Sequence, residues 1–203
     1  MMSVGIILAG GLSRRMGGVE KSLIQLGDKT LLEHVRSRAE RQLANLAINA
    51  NGDLTRFDFT GLPVIADPIE GHAGPLAGVL AGLQWAKVNT QATHILTVAA
   101  DTPFFPEDIV STLERAAANQ PDNTIALASS GGRIHPVFGL WPVSVCDDLE
   151  LFLTTLDNRK VLAFVDRHNL VEVHFETSGG MDPFFNINTP DDLALAQEWL
   201  TES

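Results

Sequence analysis

The chain holds a single cysteine, Cys146, so no disulfide can form within it and a cysteine-rich zinc site is excluded. Cys146 stands in the mixed segment VSVCDDLELF, which reads as helix packing rather than as a nucleophile. Positive charge is scarce as well: 14 Lys and Arg face 25 Asp and Glu, for a formal net charge of −11. That balance argues against a nucleic-acid or anionic-membrane surface, since both draw proteins in through lysine and arginine. Any anion site must therefore be local. No apolar run approaches membrane-spanning length. The N-terminus MMSVGIILAGG has neither the charged n-region nor the long apolar core of a signal peptide, so a cytoplasmic setting is expected. Repeats, low-complexity tracts and long linkers are absent too. The 203 residues, 45% of them hydrophobic, suit one globular domain with a sizeable core.

What the chain does have is an alternation of strand-like and helix-like segments. VGIILA (4–9) is a short β-branched apolar run that suits a buried strand. LAINAN (46–51), LPVIAD (62–67) and HILTVAA (94–100) read as further strands. TIALASS (124–130) and HPVFGLWP (135–142) read as two more, joined through Gly131 and Gly132, and NLVEVHF (169–175) as a last one. Thr30 and Glu33 form a capping-box pattern, and Leu31, Val35, Ala39 and Leu43 repeat at helical spacing behind it. PLAGVLAGLQWA (75–86) reads as a small-residue helix with proline at N1, and Pro106, Glu107 and Asp108 as an acidic helix start. Residues 143–156 and 159–167 carry helical patterns, and Thr189-Pro190-Asp191-Asp192 opens a capped last helix. The alternation predicts an α/β three-layer sandwich, a mostly parallel sheet with helices on both faces. The stretch from about 143 onward would be a lobe folded onto the same sheet.

Ligands of open α/β sheets bind beyond the carboxyl ends of the strands, and the notable residues fall there. LAGGLSRRMGGVEK (8–21) puts four glycines, two arginines and a lysine straight after the first strand. Glycines let backbone N–H groups turn toward an anion, lysine adds a point charge and arginine a planar fork, a combination that suits a nucleotide triphosphate. It is neither a Walker loop nor GxGxxG, because Gly10 and Gly11 are adjacent. A flexible surface turn with solvated arginines is the competing reading, and Arg14 has no assigned task. Asp101, in AADTPFF, is placed either to hold Mg²⁺ or to make a turn before Thr-Pro. GPLAG (74–78) either lets a planar base approach the backbone or packs a helix closely on the sheet. Asn49 bonds a base or ribose, or only caps its strand end; Asp67 bonds a ribose or base, or only makes an Asx-turn. Asn186 and Asn188, in FFNINTP, stand at strand spacing and face one side, toward a second polar substrate or a metal shell, although Asn188 also suits an ordinary turn. His135 is a structural histidine or a contact to that second substrate.

With these residues in view, the chain resembles the molybdenum cofactor guanylyltransferase family, within the nucleotidyltransferases of Rossmann-like, nucleotide-diphospho-sugar transferase-like fold. The motifs are LAGGLSRRMGGVEK (8–21), INAN (48–51), the aspartate of IADP (65–68), GPLAG (74–78), ADTPF (100–104), RIHP (133–136) and FNINTPDDL (185–193). The opening motif is shared across the superfamily; GPLAG and NxNTP narrow the match. The resemblance implies that Leu8, Ala9, Gly10 and Gly11 line the nucleotide, that Arg15, Gly18 and Lys21 hold its phosphates, and that Asn49, Asp67, Gly74 and Gly78 help bind the guanosine portion. It implies that Asp101 binds Mg²⁺ and that Asn186 and Asn188 lie toward the molybdopterin. Lys21, Arg15 and Asp101 would be the catalytic set. The nucleotide half would cover about 1–105 and the acceptor half about 106–203 of a single domain.

The reaction so implied joins GMP from GTP to molybdenum-bound molybdopterin and releases diphosphate. Its rivals are a nucleotidyltransferase acting on a sugar phosphate or using CTP, such as a molybdopterin cytidylyltransferase, a non-catalytic nucleotide-binding regulator, and a pterin carrier. Delivery of the product would involve other cofactor-assembly proteins and recipient molybdoenzymes. Nothing in the sequence fixes an oligomeric state, and a monomer is the working expectation.

Overall fold

The computed structural model describes residues 1–10, 20–69, 74–156, 159–177 and 180–202. Strand β1 (Ser3–Leu8) lies inside a seven-stranded sheet, its four inner residues buried. It pairs in parallel with β4 (Leu46–Asn49) on one side and β6 (His94–Ala99) on the other. The strand order therefore reverses at β1. Beyond β4 lies the edge strand β5 (Val64–Ile65), also parallel. On the other flank β6 meets β8 (Arg133–Pro142), the antiparallel member, followed by β7 (Thr124–Ser130) and, parallel to β7, β9 (Asn169–His174). Gly131 and Gly132 turn the β7–β8 hairpin with φ of +54° and +76°, the left-handed pair that a two-residue turn requires.

Side chains alternate between the two faces, as strand geometry demands. On one face Ile7, Ile48 and Val98 pack under α1 (Leu31–Glu40) and α3 (Ile109–Ala117). On the other, Val4, Ile6, Ile95 and Trp141 pack under α2 (Pro75–Asn89), α4 (Cys146–Thr155) and α5 (Val161–Val165). The two faces give the sandwich its three layers. Cys146 is buried in the second layer as a packing residue, and burial pushes its thiol pKa up. The Thr30 capping box forms in full, with the Glu33 N–H donated to Thr30 Oγ1 and the Thr30 N–H donated to Glu33 Oε2. Among the described residues no helix is long and apolar enough to cross a membrane.

Several boundaries differ from the sequence pattern. Only Val64 and Ile65 of the 62–67 run pair, because Pro63 has no N–H for a ladder and Asp67-Pro68 ends the extended run. The strand at 46–51 stops at Asn49, and the helix after Pro106 begins at Ile109. The 159–167 helix shrinks to five residues, and 143–145 is a 3-10 turn before α4. A small hairpin, β2 (Gln25–Leu26) with β3 (Lys29–Thr30), and a 3-10 turn at Leu54–Thr60 were not signalled by periodicity. The last helix, α6 (Pro190–Glu202), packs Ala196 against Leu26, Leu31 and Ile187, and Gln197 Oε1 accepts the Gly27 N–H at 2.9 Å.

Candidate active site

Leu8 pairs with Asn49 on one side and with Ala99 on the other, so β1, β4 and β6 end level with one another. Just beyond lies a cleft of about 660 Å³ lined in part by Leu8, Gly10, Asn49, Asp67, Gly74 and Asp101. It sits at the reversal in strand order, where such sheets leave an opening. Seven of the expected site residues, Asn186 among them, therefore line one cleft. Ala9 is buried beside it, its N–H donated to the Asn49 carbonyl at 2.8 Å. Gly11, Arg14, Arg15 and Gly18 lie outside the described residues.

At one end of the cleft Asn49, 3% exposed, donates its amide to Asp67 Oδ1 at 2.9 Å and to the Ile65 carbonyl at 3.2 Å. Asn51 donates to Asp67 Oδ2 at 2.7 Å and accepts the Asp67 N–H at 3.0 Å. The carboxylate is thus fixed by two amides from one strand end. Gly78 is buried in α2 and does not line the cleft. A Cβ there would stand 2.3 Å from Asn49 Oδ1 and 2.8 Å from Leu8 Cδ2, so the missing side chain lets α2 lie directly on the strand ends. Of the two readings of GPLAG, close packing describes Gly78, whereas Gly74 opens onto the cleft. Gly74 holds φ of +69° as the N-cap, with Pro75 in the first turn.

At the other end Lys21 Nζ donates to Asp101 Oδ2 at 2.5 Å and to Asn188 Oδ1 at 2.6 Å. Both members of the ion pair are partly covered, with side chains 14% and 23% exposed. Thr102 Oγ1 bonds Asp101 Oδ1 at 3.2 Å and also Asn186 Oδ1. The Ile187 N–H is donated to the Asp101 carbonyl at 3.0 Å, which lays residues 186–188 across the end of β6. Asn186 and Asn188 are both exposed, with Ile187 buried between them, and the segment has no strand ladder. Among the described residues no group of three His, Cys, Asp or Glu side chains gathers to hold a metal. A lone carboxylate with amide oxygens beside it matches the habit of Mg²⁺, which takes one or two carboxylates and completes its shell with phosphate and water. The donor set therefore fits that ion.

Sequence reasoning missed three polar side chains of the cleft wall, Glu20, Asn51 and Arg56. Arg56 Nη2 bonds the Asn51 carbonyl at 2.6 Å and Glu20 Oε2 at 3.0 Å, so Glu20, Arg56, Asn51 and Asp67 form one chain of contacts along the cleft. Burial raises the Glu20 pKa, and the Arg56 charge opposes that rise. Asn51 stands two residues after Asn49, a spacing that could have found it; Arg56, inside TRFDF, carries no such signal. His135 is held away from the cleft by Ser130 and the Phe184 ring.

A family model described as MobA-like NTP transferase domain matches residues 5–172. A molybdenum cofactor guanylyltransferase of Mesorhizobium japonicum is 54% identical over 97% of this chain and 95% of its own length. One from a Bradyrhizobium species is 48% identical over 95% of this chain and 91% of its own. Among solved structures, the molybdopterin-guanine dinucleotide biosynthesis protein A of Archaeoglobus fulgidus superposes with a TM-score of 0.76 over 100% of both chains at 24% identity, a likeness of fold. A match of this length, on a cleft built at the ends of parallel strands, means that the chain belongs to the MobA-like NTP transferase family and is a nucleotidyltransferase.

Proposed function

We propose that this enzyme transfers GMP from GTP to molybdenum-bound molybdopterin, forming molybdopterin guanine dinucleotide and diphosphate. The observation that carries the proposal is that Lys21 joins Asn188 to Asp101, which lines the same cleft as Asn49 and Asp67. The relatives at 54% and 48% identity bear the name of that activity, which supports the reading.

A terminal phosphate oxygen of the pterin attacks the α-phosphorus of GTP. The new P–O bond forms as the bond to the α–β bridging oxygen breaks, and the electron pair leaves with diphosphate. The nucleophile is already an anion, so no strong general base is needed. The task of the protein is to hold two anions together and to offset their repulsion. Lys21 does so with its ammonium, once it turns from Asp101 to the phosphates, and Arg15, Gly11 and Gly18 are assigned to the same phosphates. Asp101, with Asn186 or Asn188 beside it, would hold Mg²⁺, which neutralises phosphate charge when bound. The Asp67 carboxylate suits guanine, whose N1–H and N2–H groups are donors, and Asn49, Gly74, Leu8, Ala9 and Gly10 shape the nucleoside wall. Gly78 serves the nucleotide indirectly, by leaving room for Asn49. Asn186 and Asn188 face the pterin, and the chain divides near residue 105 into nucleotide and acceptor halves. A cytoplasmic monomer that passes its product to recipient molybdoenzymes, with other assembly proteins, completes the proposal.

The test supplies molybdopterin with each nucleoside triphosphate in turn and follows diphosphate release. GTP alone should support turnover. Preference for CTP, or turnover on a sugar phosphate without pterin, refutes the proposal.

A further inference from the structure

Residues 182–188 form a strap that brings Asn186 and Asn188 to Asp101 without a ladder of its own. Its C-terminal end is tied down by α6: Asp192 Oδ2 accepts the N–H groups of Asn188 and Thr189, both at 2.9 Å, and Thr189 Oγ1 accepts the Asp192 N–H at 3.1 Å. The other end is tied to the β7–β8 hairpin. Ser130, the last residue of β7 and 1% exposed, has its Oγ 2.7 Å from Asp182 Oδ1 and 2.7 Å from His135 Nε2.

A hydroxyl carries one proton, and an ionised carboxylate can only accept. Ser130 must therefore donate to Asp182, and His135 must donate to Ser130 from a protonated Nε2. This fixes the tautomer with Nδ1 bare. Burial holds His135 below its ordinary pKa, against the pull of the Asp182 charge, so the neutral ring is the form that fits. The order of the three groups also excludes a hydrolytic triad: the buried serine stands between acid and base and aims its proton at the carboxylate. Asp182 Oδ1 accepts in addition the Phe184 N–H at 2.9 Å, and the Phe184 ring lies on His135 at 4.6 Å and on Phe138 at 4.8 Å.

We infer that Ser130, His135 and Asp182 are positioning residues that set the height and register of the 182–188 strap over Asp101, and so the placing of the acceptor substrate. The apolar contacts of Phe184 alone would hold the strap down, but they have no direction and tolerate sliding. The Ser130–Asp182 hydrogen bond, which alone of the three crosses from hairpin to strap, does not, because its strength falls steeply with distance and angle; His135 aims the hydroxyl and the Phe184 N–H holds the carboxylate. An in-line displacement needs that constraint, since a misplacement of about 1 Å costs on the order of 10²-fold in rate. None of the three residues lines the cleft, so their loss should reach GTP only through the strap and weaken its binding far less than acceptor turnover. The inference rests on the reading that Asn186 and Asn188 serve the acceptor.

The experiment compares Ser130→Ala, His135→Ala and His135→Gln with the wild-type chain by three measurements. Amide hydrogen exchange at Phe184 and Ile187, without substrates, should quicken by about tenfold in both alanine variants, while β1 and β6 keep their protection. The dissociation constant of GTP without acceptor, by calorimetry, should stay within about twofold, and kcat/KM for the acceptor should fall by about tenfold or more. His135→Gln, whose amide can donate as the imidazole does, should recover most of both losses. Unchanged exchange at the strap, a loss of GTP affinity equal to the loss of acceptor turnover, or a glutamine variant as poor as the alanine one each overturns the inference. If Ser130→Ala does not fold, the two His135 variants decide. If the acceptor is not the pterin, wild-type turnover fails while the exchange result still stands.

Discussion

The two flanks of the sheet build their parts of the site by different means. On the β1–β4–β5 side the backbone does the placing: parallel strands end level, and Asn49, Asn51 and Asp67 are within hydrogen-bond reach as a result. On the β7–β8 side no strand delivers the functional amides. Asn186 and Asn188 ride on chain without a ladder, held by side chains from the turn after β6, from β7 and from α6. A wall built from a ladder tolerates the loss of one side-chain contact, because the other ladder bonds remain. A hung segment does not, because each contact fixes a different degree of freedom.

The largest effect is expected where the two flanks meet. Asp101→Ala and Lys21→Ala should each lower turnover by about 10²–10³-fold, with far-ultraviolet circular dichroism unchanged. Either variant with near wild-type diphosphate release would remove the meeting point from the mechanism. Next comes Gly78→Ala, which strikes the ladder-built wall from behind. The added methyl meets the held Asn49 amide at 2.3 Å, so both chain stability, by about 1–3 kcal/mol in urea denaturation, and GTP affinity should fall. A normal GTP affinity there would show that α2 does not set the wall. Asp67→Asn keeps the size of the group but loses its acceptor charge, and should raise KM for GTP by about tenfold with little change in kcat. A fall in kcat alone would move Asp67 from the nucleoside to the reacting end.

The smallest effect concerns pH. Glu20 has a raised pKa in the fold, mainly through burial. Between the ordinary carboxylate value and the raised one, the folded chain binds more protons than the unfolded chain, so stability falls as pH rises through that window and is flat above it. Glu20→Gln should remove this slope from a series of denaturation curves; a slope that persists would place it on another group.

The part of this architecture that sequence displays is the part made by local rules. The Thr30–Glu33 capping box, the glycine pair between β7 and β8 and the capped start at Thr189 need only neighbouring residues, and each forms as the pattern suggests. Asp101 was legible because it follows a buried run directly. GPLAG was legible as small but not as to purpose, since a base and a neighbouring strand make the same demand for space; in the fold Gly78 lies close against Asn49 and Leu8. The bond from Lys21 to Asn188 spans 167 residues and that from Ser130 to Asp182 spans 52, and no periodicity encodes either. Arg56 escaped for the same reason: its partner Glu20 belongs to a different element and no spacing rule links them.

The long reach of the Lys21–Asn188 bond has a consequence for synthesis. A ribosome that has made the first half of the chain has already produced Lys21, Asn49, Asp67 and Asp101, yet the strap and the helix that anchors it are still to come. The Asn49–Asp67 contact can form early, but the contact of Lys21 with Asn188 waits until the strap has emerged. Lys21 therefore meets its amide partner only after the 167 positions that separate it from Asn188 have been made.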